Sequence, residues 1–105
     1  MRGRKVNNDE VIAAWKRGDR ARNGRCSLST DGTNLYSYHL KIGHRTRSGG
    51  TIVAEYRAGG KGSFKSQTTS CHVGLAMRSG VSLVMLPIIF EATEWTQDPY
   101  LEIPF

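Results

Sequence analysis

Glycine sets the scale of what this chain can build. Twelve of its 105 residues are glycine, five of them in the clusters Gly49-Gly50 and Gly59-Gly60-Lys61-Gly62. A residue without Cβ is the natural occupant of a tight turn. The expected fold is therefore a set of short elements joined by sharp turns. At 38% hydrophobic, with two Trp, four Tyr and three Phe, the chain can fill one modest core. The length suits a single domain over residues 1–105.

Residues 1–6 read as a flexible basic arm. Asn7 then caps a first helix with Glu10 in the N3 position, and Val11, Ile12, Ala14 and Trp15 form its apolar stripe. Gly18 ends it. A short strand over Cys26–Ser29 is followed by the turn Ser29-Thr30-Asp31-Gly32. From Leu35 to Ile42 the residues alternate, with Tyr36, Tyr38, Leu40 and Ile42 on one face and Leu35, Ser37, His39 and Lys41 on the other. That pattern predicts one strand, with the tyrosine face turned to the core. Gly43 to Gly50 reads as a basic loop. Thr51 to Arg57 alternates again and completes an antiparallel hairpin with a basic tip.

A second helix is expected from Thr68-Thr69-Ser70 to about Gly80, burying Val73, Ala76 and Met77. The apolar run Val81–Leu86, ended by Pro87, reads as a central strand. Residues 91–105 form an acidic, irregular tail that packs over the sheet. The layout predicts an α+β fold with a small antiparallel sheet and two helices packed on one face.

Charge is distributed as unevenly as glycine. Residues 1–65 hold 14 of the 15 Lys and Arg with five acids, whereas residues 66–105 hold one basic residue and four acids. A field of that kind attracts phosphate backbones or acidic proteins without any catalytic group. Candidate contacts fall into three patches: Arg2, Arg4 and Lys5 in the arm; Lys16, Arg17, Arg20, Arg22 and Arg25 after the first helix; and Arg45 and Arg47 at the hairpin tip. Paired guanidinium donors match phosphate oxygens, so the predominance of arginine suits this role. The asymmetry also allows a homodimer through the acidic half.

Other chemistries leave fainter marks. Cys26 and Cys71 are expected to be reduced, since two cysteines make no disulfide framework. No zinc-ligand spacing joins them to His39 and His72, and neither a metal nor a cofactor is expected. Ser66-Gln67-Thr68-Thr69-Ser70-Cys71-His72 is rich in hydroxyls that cap a helix or bind an anion beside it. A small ribonuclease would need two histidines, for which His39 and His72 are the pair, with Lys41 or Arg57 stabilising the developing charge. Cys71 with His39 as base is the thiol alternative. No run of apolar residues is long enough to span a bilayer as a helix, and no secretory leader is visible, so a cytoplasmic location is expected.

The series Thr30-Asp31-Gly32-Thr33-Asn34-Leu35-Tyr36-Ser37-Tyr38, then Ile42, then Thr68-Thr69-Ser70-Cys71-His72, resembles small bacteriophage-encoded proteins. In these an early Trp-containing helix precedes a Leu-Tyr-Ser-Tyr strand and a Thr-Thr-Ser-x-x-His-like segment. The resemblance spans roughly residues 11–75. The register of the last motif differs, since one residue here separates Thr-Thr-Ser from the histidine. The resemblance implies a viral accessory protein acting on nucleic acid or host machinery in the host cytoplasm, and it carries over no catalytic residue. The leading expectation is a basic, non-enzymatic protein that binds nucleic acid or a nucleoprotein complex. The alternatives are an inhibitor or adaptor for an acidic host protein, and the histidine-pair ribonuclease.

Overall fold

A computed structural model describes residues 4–56 and 67–93. Their strands form one sheet of seven in sequence order: β1 (Arg4–Val6), β2 (Arg20–Asn23), β3 (Leu28–Asp31), β4 (Asn34–Ser37), β5 (Leu40–Arg45), β6 (Thr51–Ala54) and β7 (Leu83–Met85). β2 to β6 run antiparallel to their neighbours, but β1 lies parallel to β2 and β7 parallel to β6. Three helices accompany them: α1 (Asn8–Arg17), α2 (Gln67–Arg78) and α3 (Pro87–Ala92). The expected antiparallel sheet with two helices is thus corrected to a mixed sheet with three. The reason is topological. α1 and α2 each join a pair of neighbouring strands as a crossover, and a crossover delivers its strands parallel.

Local chemistry explains both long helices. Asn7 caps α1 by accepting the Glu10 amide at 2.9 Å. Gly18, with φ +85, ends it while the Asp19 amide returns to the Ala14 carbonyl at 2.8 Å; that six-to-one bond needs a left-handed residue just beyond the helix. The stripe Val11, Ile12, Ala14 and Trp15 is buried. α2 stacks Val73 and Ala76 into the same core, as expected, with Met77 only partly buried.

The segment Leu35–Ile42 departs most from expectation. It is a hairpin, in which Ser37 pairs with Leu40 across the two-residue turn Tyr38-His39. Tyr38 takes φ +56 there, a conformation that non-glycine residues adopt at a cost. The faces are also exchanged in β4, whereas Ile42 in β5 is buried as expected. Leu35 and Ser37 point to the core, Tyr36 is half-buried and Tyr38 is 54% exposed. The expected basic loop shrinks to Thr46–Gly50, because Gly43, His44 and Arg45 belong to β5. Close approach fixes Gly43, where a Cβ would lie 2.8 Å from the Trp15 ring.

Two further expectations change. Arg4–Val6, read as part of a free arm, pairs with β2. Val81–Leu86, read as a central strand, supplies only the three residues of β7, the last in the described sheet order. Pro87 then starts α3, whose Glu91 carboxylate accepts the buried Tyr56 hydroxyl. Burial pushes that phenol well above its usual range, and the bond to Glu91 adds to the shift. The expected irregular tail over 91–105 is helical at Glu91 and Ala92, the end of α3, and beyond Thr93 it lies outside the described residues, as do Arg2 and Arg57. Among the described residues no helix is long and apolar enough to cross a membrane.

Candidate functional site

Strand direction divides the expected basic patches between two ends of the sheet. β2 begins at Arg20, beside the C-terminus of α1, and runs toward the turn that carries Arg25, beside the N-terminus of α1. The second patch is therefore split. Its first half meets the β5–β6 tip, because Arg45 Nε donates to the Lys16 carbonyl at 3.2 Å. Thr46 closes that tip through bonds to Gly49 and Gly50, leaving Arg47 and Ser48 exposed. Lys16 Nζ reaches the Ser79 carbonyl after α2 at 2.6 Å and adds exposed Arg78 to the neighbourhood. The result is a cationic rim of Lys16, Arg17, Arg20, Arg45, Arg47 and Arg78.

Not every cation in the rim is equally available. Lys16 and Arg45 satisfy carbonyls at helix C-termini, where positive charge is favoured in any case. Arg17 is paired with Asp19 at 3.0 Å, though both are well exposed. Arg22 stands apart, its Nη1 on the Cys26 sulfur at 3.2 Å and its buried Nε without a partner among the described residues. Arg4 and Lys5 lie in β1, and the structure describes only their backbone.

The opposite end of the sheet holds an open groove of about 700 Å³. Asn8 and Asp9 at the start of α1, Arg25 in the β2–β3 turn, and Thr68, Cys71 and His72 on α2 line it, with Val6 and Leu75 as apolar walls. Its framework is a buried amide. Asn23 Oδ1 accepts the Ser27 and Leu28 amides at 2.8 and 3.3 Å, while Nδ2 donates to Asn8 Oδ1 at 2.8 Å and Ser27 Oγ at 2.9 Å.

His72 is 3% exposed. Its Nδ1 lies 2.8 Å from Ser37 Oγ, which is in turn 2.9 Å from Thr69 Oγ1. This chain fixes the ring and leaves Nε2 without a partner among the described residues. Burial pushes the imidazole below the ordinary histidine range, so the groove meets a neutral ring near pH 7.

The structure thus gathers His72, Cys71, Thr68 and Arg25 along the groove, whose described lining does not include His39 or Lys41. His39 is exposed in the β4–β5 turn. Lys41 pairs with Tyr36 on the sheet face opposite Ser37, with Nζ 5.8 Å from the Phe90 ring. Cys26 and Cys71 are both free and exposed. Among the described residues no three His, Cys, Asp or Glu side chains converge as metal ligands.

Sequence reading missed Asn8, Asn23, Ser27 and Ser37. The Asn23-Gly24 pair is a turn signal that marks the first part of this network, whereas nothing local marks Ser37. No family model, no curated protein and no solved structure matches this chain.

Proposed function

We propose that the protein is a non-enzymatic nucleic-acid-binding factor that holds the phosphate backbone on its cationic rim. The observation that carries this reading is the meeting of two sequence-distant basic segments at one end of the sheet, fixed by the Arg45–Lys16 bond. Arg17, Arg20, Arg47 and Arg78 are exposed around that junction. Guanidinium groups held on a rigid hairpin tip and two helix ends contact successive phosphates with little ordering cost. The resemblance of the Leu-Tyr-Ser-Tyr segment to phage-encoded proteins supports a role as a phage accessory factor.

Fluorescence anisotropy against short single-stranded and duplex DNA and RNA, each at two salt concentrations, tests the reading. Binding is expected to weaken steeply with salt. Arg47→Ala is expected to lower the salt slope by about 1 without unfolding the protein. Absence of binding at low salt overturns the proposal. An acidic host protein is the second reading. The observation on its side is the exposed apolar series Val84, Leu86, Ile88 and Ile89, which a protein partner covers more readily than a phosphate backbone does.

A further inference from the structure

The groove at the far end of the sheet is chemically unlike the rim. We propose that it binds a nucleoside monophosphate, with Arg25 taking the phosphate and His72 Nε2 and the Asn8 amide holding polar atoms of the nucleoside. The inference does not rest on the rim.

Each wall contributes a separate constraint. Arg25 is an exposed guanidinium with no ion pair among the described residues, suited to one anionic group. His72 is buried, with one nitrogen locked by Ser37 and the other unpartnered, so its remaining hydrogen bond is aimed rather than mobile. Asn8 spends its oxygen on Asn23 and keeps its NH2. The Asp9 carboxylate suits sugar hydroxyls, which donate, and would repel a second phosphate. Val6 and Leu75 supply apolar surface for a flat ring.

At about 700 Å³ the groove is far larger than inorganic phosphate requires, and it falls in the range of small-molecule sites. One anion, a hydrogen-bonding edge, hydroxyls and a flat apolar body together describe a nucleotide. The ligand is either a free mononucleotide or the phosphorylated end of a strand.

Nuclear magnetic resonance titration of ¹⁵N-labelled full-length protein with AMP, adenosine and inorganic phosphate tests this. AMP is expected to shift His72 Nε2 and the side-chain amides of Asn8 and Asn23. Arg25→Ala is expected to weaken AMP roughly tenfold while leaving adenosine binding unchanged. Arg47→Ala, in the rim, is expected to leave AMP binding as it was. Groove shifts that a 5′-phosphorylated oligonucleotide produces and its unphosphorylated counterpart does not identify a strand end as the source, and groove shifts with AMP alone identify the free nucleotide.

No shift in the groove at millimolar AMP overturns the proposal, as does an Arg25→Ala protein that binds AMP normally. His72→Gln is a second variant, expected to weaken AMP and adenosine alike. Should it not fold, the Arg25 comparison and the wild-type shifts still decide. Oligonucleotide binding that depends on Arg47 but shows no groove shift refutes this inference alone and leaves the rim reading intact.

Discussion

Replacing Gly43 by alanine adds one carbon to the tightest place in the core. The new Cβ would lie 2.8 Å from Trp15 Cζ2, 3.1 Å from Trp15 Cη2 and 3.1 Å from Leu35 Cβ. Carbon atoms rest at about 3.5–4.0 Å, so the closest contact is short by roughly 0.7–1.2 Å. Neither neighbour can step aside. Trp15 and Leu35 are fully buried, and the indole is tethered by its Nε1 bond to the Thr33 carbonyl at 3.1 Å. Overpacking of this kind costs about 1–3 kcal/mol. Stiffening of the unfolded chain returns about 0.4–1 kcal/mol. Taken at their midpoints these leave a net loss of about 1.3 kcal/mol, and about 4–8 °C of Tm accompanies each kcal/mol in a domain of roughly this size.

Urea denaturation followed by circular dichroism measures this in two backgrounds. Trp15→Phe removes the two ring atoms that crowd the site and leaves only the 3.1 Å contact to Leu35 Cβ, so Gly43→Ala is expected to cost clearly less there. The coupling between the two substitutions should therefore exceed about 0.5 kcal/mol, beyond the error of additivity. Equal costs in both backgrounds would refute the steric argument. So would a Gly43→Ala protein as stable as the wild type.

Two other perturbations follow from the capping and from the buried histidine. Asn7→Ala removes the acceptor of the Glu10 amide and is expected to lower stability by about 1 kcal/mol in the same urea assay; an unchanged midpoint would show that water replaces the cap. Native His72 titrates below its ordinary value of 6.5, so the unfolded chain takes a proton that the native ring refuses. Its contribution to stability is level above about pH 6.5 and falls as pH drops toward the native value, by about 1.4 kcal/mol for each pH unit between the two. His72→Gln should flatten that part of the slope between pH 7 and pH 5. Parallel slopes in the two proteins would contradict it.

The two longer helices, α1 and α2, were legible in the sequence because their signals are local, whereas α3 was not foreseen. Asn7, Gly18 and a 3.6-residue stripe lie within one segment, and a hydroxyl-rich start with a glycine near the end frames α2. The β4–β5 hairpin was not legible. Its turn is made by Tyr38, a residue type that carries no preference for positive φ, and an eight-residue alternation reads equally well as one strand. The exchange of faces has a related origin. Ser37 is tolerated in the core only because His72 and Thr69, 35 and 32 residues away, satisfy its hydroxyl. β1 was hidden because Arg4-Lys5-Val6 has no apolar period and exists as a strand through pairing with β2. In the groove His72, Cys71, Thr68 and Arg25 were nominated from residue type alone, while Asn8 and Asn23 emerged only when three separate segments were brought together.

The parallel strand at each end of the sheet order has a consequence for how the molecule assembles. β2 through β6 are linked by short turns, so each pairing closes a small loop as the chain zips forward. β1 and β7 are three residues each and dock only after a whole helix has crossed the sheet, a later and entropically costlier closure. Loop closure thus predicts that the two flanks are recruited last and released first, after the meander between them. The nucleotide groove and α3 each draw on one of those flanks, through Val6 and through the stretch after Met85. Loosening either edge therefore reshapes a surface before it endangers the core.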